Sequence, residues 1–170
     1  MSRGGRPDED GMIARFFRPL ATAPGAARLL DDAACYQPPD GHELVLTTDA
    51  LVAGVHFFPE DPPDAIARKA LRVNLSDLAA KGARPVGYLL SIALAEDWSE
   101  DWLESFTDGL GADQEEFGIS LFGGDTVRTP GPFWVSITAF GVVAEGQVPR
   151  RNLAAPGQKI YVSGTIGDAA

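Results

Sequence analysis

Residues 61–82 read DPPDAIARKALRVNLSDLAAKG, and the fold turns on taking them as one helix. Asp61-Pro62-Pro63-Asp64 is an entry signal. Proline fits the first turn, where its missing N–H has no intrahelical partner to lose, and acids suit the positive end of the helix dipole. Gly82 is a stop, because the left-handed turn that closes many helices suits glycine. Ile66, Ala70 and Val73 form one apolar line, with Leu71, Leu75 and Leu78 beside it. Asp77 falls on the same line, at i, i+4, i+7 and i+11. A carboxylate there is costly unless paired, and Lys81 is the local candidate partner.

Strands flank this helix. Glu43 to Asp49 reads as one, rich in Val, Leu and Thr, and Val52 to Phe58 as extended chain beyond a bend at Gly54. Pro85 to Ala95 reads as a long buried strand. Ser99 can cap a second helix with Trp102, Leu103, Phe106 and Leu110 inside and Phe117-Gly118 at its close. Ile119–Phe122 is a short strand delivering Gly123-Gly124-Asp125-Thr126 at its end. Phe133–Val143 is another strand after a Pro130-Gly131 turn. Arg150 and Arg151 sit in a loop. Lys159–Ser163 is a final strand, and Gly164–Asp168 a strand-to-helix turn. At the other end, Gly11–Leu20 is an amphipathic helix with Ile13, Phe16, Phe17 and Leu20 inward, preceded by a mobile start. Helices of this length between strands imply an α/β (α+β) domain, with helices packed on one face of a mixed sheet.

The composition suits one globular core: 170 residues, 45% hydrophobic and 22% charged. A net charge of -10 argues against nucleic acid as a partner, which needs a basic face. One cysteine, Cys35, leaves no internal disulfide and no thiolate zinc cluster, and reads as an inert small hydrophobe. That cysteine usage points to a cytoplasmic protein, with a disulfide-free secreted one as the alternative, and no apolar run is long enough for a membrane span.

Four acidic clusters carry the chemistry: Asp31-Asp32, Thr47-Thr48-Asp49, Asp77 and Gly123-Gly124-Asp125-Thr126. Each has an ordinary reading alone. Asp31-Asp32 could cap a helix starting at Ala33. Asp49 could close a turn, Asp77 could pair with a base, and the glycine pair could be a tight turn. His56 could be a hydrogen-bonded, half-buried ring, and Arg150-Arg151 a solvated pair. Together, carboxylates and hydroxyls are hard oxygen donors of the kind Mg²⁺ shares with phosphates. Glycines beside Asp125 would let a phosphate reach the backbone. An acidic protein that binds an anionic nucleotide needs metal between the two.

These clusters, with Lys69–Ala80, Gly54-Val55-His56-Phe57 and Lys159–Asp168, come in an order that resembles the N-terminal part of the thiamine-monophosphate kinase family. That family belongs to the superfamily of aminoimidazole-ribonucleotide synthetase and selenophosphate synthetase. The resemblance implies the N-terminal domain of the aminoimidazole-ribonucleotide synthetase-like fold over 11–150, with sheet pairing across a homodimer, and the start of a second domain at 151–170. It implies ATP-dependent phosphorylation of thiamine monophosphate. Mg²⁺ would lie at Asp32, Thr47, Thr48, Asp49, Asp77 and Asp125, the nucleotide at Gly124, Asp125 and Arg151, and thiamine monophosphate at His56. Leu30 departs from the family, which usually has glycine there and so a freer φ. Family chains are about twice this long, so residues 1–170 alone are expected to be nearly inactive. The alternatives are another ATP-using member of the superfamily, or a non-catalytic dimerisation or metal-binding fragment.

Overall fold

The structure is a computed structural model describing residues 7–162, 164 and 165. Its centre is a four-stranded mixed sheet in the order β1-β4-β2-β3. The strands are β1 (His42–Val52), β2 (Arg84–Ala95), β3 (Ser120–Thr129) and β4 (Trp134–Ala144). β4 pairs antiparallel with both β1 and β2, and β3 runs parallel to β2. The parallel pair follows from a helical crossover between its strands.

Two helices pack on one face, α2 (Pro63–Ala80) and α3 (Glu100–Phe117), numbered after a short N-terminal α1 (Glu9–Met12). Their ends match the expected chemistry. Pro63 opens α2 and Gly82 follows it with φ +62°. The Ser99 side chain accepts from the Trp102 N–H, and Gly118 closes α3 in the left-handed region. Leu71, Leu78, Leu103, Phe106 and Leu110 are fully buried between the helices and Tyr88, Leu90, Ile92, Val135 and Ile137 of the sheet. Trp102 stacks on Phe106, and Phe133 meets both rings edge-on.

The segment read as one helix over Gly11–Leu20 is helical but changes pitch twice. It widens to a π-helical turn at Ile13–Phe17 and tightens to a 3₁₀ turn at Arg18–Leu20, the latter accommodating Pro19. Met12, Phe16, Phe17 and Leu20 are buried, whereas Ile13 is half-buried.

Several expectations need correction. Asp77 is exposed. The buried face of α2 passes through Ile66, Ala67, Ala70, Leu71, Asn74, Leu75 and Leu78, so the expected line holds at Ile66 and Ala70 but leaves the core at half-buried Val73 and exposed Asp77. Lys81 turns to the Pro149 carbonyl and not to Asp77. No helix starts at Ala33, where the chain only bends. Val52–Phe58 is a tight turn, not extended chain: Val55 and His56 both donate to the Val52 carbonyl, and Gly54 takes φ +78°. β3 runs through Gly123–Thr126, because its pairing with β2 continues to Ala95↔Thr129. Cys35 is exposed. Residues 159–162 form no strand; no strand of the sheet pairs with them, and Ile160, Tyr161 and Val162 are exposed. Ser163 and the expected turn at 166–168 lie outside the described residues.

Among the described residues, no α-helix packs on the opposite face of the sheet. Residues 21–36 cover part of it, with Tyr36 against the rings of Phe122 and Phe140. Gly87 is needed beneath these rings, since a Cβ there would come within 2.3 Å of Phe122. Leu44, Leu46 and Leu89 on that face are exposed.

Candidate metal and phosphate site

The single chain gathers the expected site residues into two groups, not one. The first lies where β1 meets α2. The Thr47 hydroxyl donates to Asp77 Oδ2 at 2.8 Å. Asp49 is two residues further along β1 and shares its face with Thr47, because strand side chains alternate. Thr48 faces the other way. Its hydroxyl donates to the Ile137 carbonyl at 3.2 Å and accepts from Thr138 at 3.0 Å.

The second group lines a cleft of about 530 Å³ at the β3 edge. Asp31, Asp32 and residues Gly123–Thr126 form its polar wall, and Ile13, Phe17, Leu29, Leu89 and Phe122 its apolar one. Asp49 and Gly124 occupy one row across the sheet through Ile137 and Leu90. Three strand spacings therefore separate the groups, roughly 14 Å. Asp125, one residue beyond Gly124, points to the opposite face from Asp49 by the same alternation.

The donors are carboxylates and hydroxyls, a set suited to Mg²⁺ with water and phosphate oxygens filling its remaining positions. Among the described residues no three His, Cys, Asp or Glu side chains converge as a metal cage.

His56 is exposed, and its ring orientation is fixed. The Val52 N–H donates to Nδ1 at 3.0 Å, so the neutral ring carries its proton on Nε2 and presents a donor outward. Lys69 of α2 donates to the His56 carbonyl, a partnership that sequence reading missed. Nothing in the spacing of residues 56 and 69 signals it; it depends on how the turn folds onto the helix. Arg150 and Arg151 are exposed beside a 3₁₀ turn at Arg151–Leu153, outside the cleft lining.

Leu30 sits at φ −105°, a backbone angle that does not require glycine. The left-handed backbone falls instead on Ala27, Arg28 and Leu29, at φ 47°, 54° and 54°.

Comparison with known proteins bears on the family of the chain. The family described as AIR synthase related protein, N-terminal domain, matches residues 30–143. A thiamine-monophosphate kinase of Caulobacter vibrioides is 50% identical over 163 residues, 95% of this chain and 46% of that protein. The crystal structure of thiamine-monophosphate kinase from Stenotrophomonas maltophilia K279a superposes with a TM-score of 0.67 at 49% identity, over 72% of this chain and 38% of that one. "AaThiL complexed with AMPPCP and TMP" gives a TM-score of 0.60 at 30% identity, over 84% and 45%. The chain thus spans about half the length of the curated relatives it matches. With the helix-backed mixed sheet, these likenesses establish that the chain belongs to the AIR synthase related family and carries its N-terminal domain.

Proposed function

We propose that this chain carries part of the site of a thiamine-monophosphate kinase, a cytoplasmic enzyme that moves the γ-phosphoryl group of ATP onto thiamine monophosphate to give thiamine diphosphate and ADP. The observation that carries the reading is the pair of oxygen-donor groups at opposite edges of the sheet. It is supported by similarity to a protein whose solved complex contains AMPPCP and TMP. Residues 11–150 form the working unit, and 151–170 begin a second one.

Asp32 and Asp125 would hold Mg²⁺ in the cleft, and Thr47, Asp49 and Asp77 would hold it at β1. Bound Mg²⁺ would offset the repulsion between two anionic reactants. Gly124, Asp125 and Arg151 would face the nucleotide. His56 Nε2–H would donate to the acceptor phosphate, with Lys69 fixing the turn that presents it. Phosphoryl transfer needs positioning and charge neutralisation more than covalent chemistry, and the acceptor phosphate is already largely ionised near neutral pH. No side chain has to act as general base.

Neither donor group completes a site alone. We infer a homodimer in which the β1 edge of one copy meets the cleft of the other, so that the β1 group of each serves its partner's cleft. The exposed Leu44, Leu46 and Leu89 support such a contact. Thr48, on the open face, would reach the ions only in that assembly.

Asp77→Ala tests the metal reading in the enzyme at its full natural length. ADP formation from ATP and thiamine monophosphate should fall at least about 100-fold, in line with the several kcal/mol that metal ions contribute. Unchanged turnover would remove Asp77 from the site.

A further inference from the structure

We infer that Ser120 is a positioning residue for the phosphate cleft, holding the segment that carries Asp31 and Asp32 against the strand that carries Gly123–Thr126. The inference rests on the reading of that cleft as the Mg²⁺ and nucleotide site.

Ser120 opens β3, three residues before Gly123, and is only 6% exposed. Its hydroxyl gathers the chain at one point. The N–H groups of Thr22 and Ala23 both donate to Oγ at 3.1 Å. Oγ in turn donates to the Leu20 carbonyl at 3.2 Å, and the Thr22 hydroxyl stands 3.2 Å away. One proton and two lone pairs are thereby fully used. The segment leaving this point has no regular helix or strand to hold it beyond the short turn at Pro24–Leu29. It closes on itself where Cys35 N–H donates to the Gly25 carbonyl at 2.9 Å, and Tyr36 anchors its far end on Phe122 and Phe140. Asp31 and Asp32 lie between these fixed ends, on the cleft wall.

A second pin backs the first. Gln114 of α3 donates to the Leu20 carbonyl at 3.0 Å and to the Tyr88 hydroxyl at 3.1 Å. Tyr88 is fully buried, and burial pushes its phenol far up, so it remains a neutral partner. The Leu20–Ala23 corner is therefore tied to both the sheet and α3, and the arrangement resists drift of the acidic tip.

Losing the Ser120 hydroxyl leaves two N–H groups without a partner in a half-buried place, whereas the cleft residues themselves are untouched. The test is Ser120→Ala in the enzyme at full natural length, read by calorimetric titration with Mg·ATP, by steady-state kinetics and by amide hydrogen exchange. Mg·ATP affinity should weaken about tenfold, the scale of one or two lost hydrogen bonds. KM for ATP should rise in step, with kcat within about twofold, since the reacting groups remain. Amides 22 and 23 should exchange faster while those of α2 and α3 keep their protection. On an Asp32→Ala background the same change should weaken binding less than about twofold, because the residue acts through that segment. Gln114→Met, a milder loosening of the same corner, should weaken affinity about threefold.

An unaffected Ser120→Ala beside a weakened Asp32→Ala overturns the inference alone. So does a Ser120→Ala effect that multiplies in full with Asp32→Ala. Should Ser120→Ala fail to fold, an unchanged affinity in Gln114→Met overturns it equally. An Asp32→Ala variant that binds Mg·ATP like the parent overturns the reading of the cleft, and the inference with it.

Discussion

At the scale of single residues, the two glycines of Gly123-Gly124-Asp125-Thr126 have different reasons to be glycine. A Cβ on Gly124 would stand 1.8 Å from the Leu90 carbonyl oxygen, on the backbone of the neighbouring strand. No side-chain motion can relieve that clash. A Cβ on Gly123 would stand 3.5 Å from Leu89 Cδ2, an ordinary contact, in the wall of the cleft. The sequence suggested that both glycines serve close approach of a phosphate; the structure accounts for Gly124 by strand packing and leaves Gly123 with room beside it. Gly124→Ala should destabilise by at least about 3 kcal/mol, the upper range of overpacking, and Gly123→Ala by less than about 1 kcal/mol. Urea unfolding of both variants measures the difference. Equal effects would mean that β3 does not lie against β2 in this register.

At the scale of elements, α2 and α3 are held together by more than their apolar faces. Arg72 of α2 makes two hydrogen bonds to Asp113 of α3, at 2.8 and 2.7 Å, and a third to Glu116 at 3.0 Å. The Asp113 bond holds the Arg72 guanidinium above its ordinary pKa. The pair is asymmetric: the Asp113 side chain is 0% exposed and that of Arg72 46%. Arg72→Ala leaves a buried carboxylate without its partner and should cost about 3–5 kcal/mol. Asp113→Ala leaves a half-exposed guanidinium that keeps Glu116 and water, and should cost about 1–3 kcal/mol. Chemical denaturation of the two variants checks the order, and a reversed order would sink this account. Both helices were legible in the sequence because their signals are local: Pro63 and Ser99 at the starts, Gly82 and Gly118 at the ends, and an apolar repeat between. The clip was not legible, since residues 72 and 113 meet only after the helices dock. For the same reason Asp77 was read onto the wrong side of α2. Periodicity allows two neighbouring stripes, and tertiary packing chose the one through Asn74, whose amide donates to the Ala70 carbonyl at 3.0 Å.

At the scale of the whole molecule, the residue types of the candidate site were legible and their grouping was not. Thr47, Asp49 and Asp77 stand together, and so do Asp32 and Asp125, but the sheet's width and its two faces keep the groups apart. A two-fold assembly that sets the β1 edge of one copy against the cleft of the other would unite them. Each copy carries a net charge of -10, so like charge opposes that association and apolar contact must supply it. Salt should therefore strengthen the dimer rather than weaken it. The shared site has a sharper consequence. In the enzyme at full natural length, Asp77→Ala and Asp125→Ala should each be nearly inactive as homodimers. Co-expressed in equal amounts, half of the dimers would be mixed, and each mixed dimer would hold one site with both defects and one site with neither. About a quarter of the parent's activity should return, by the symmetry of an isologous dimer. If each site drew both carboxylates from one chain, mixed dimers would have no intact site and no activity would return. Steady-state ADP formation by the co-expressed pair, compared with each variant alone, separates the two arrangements.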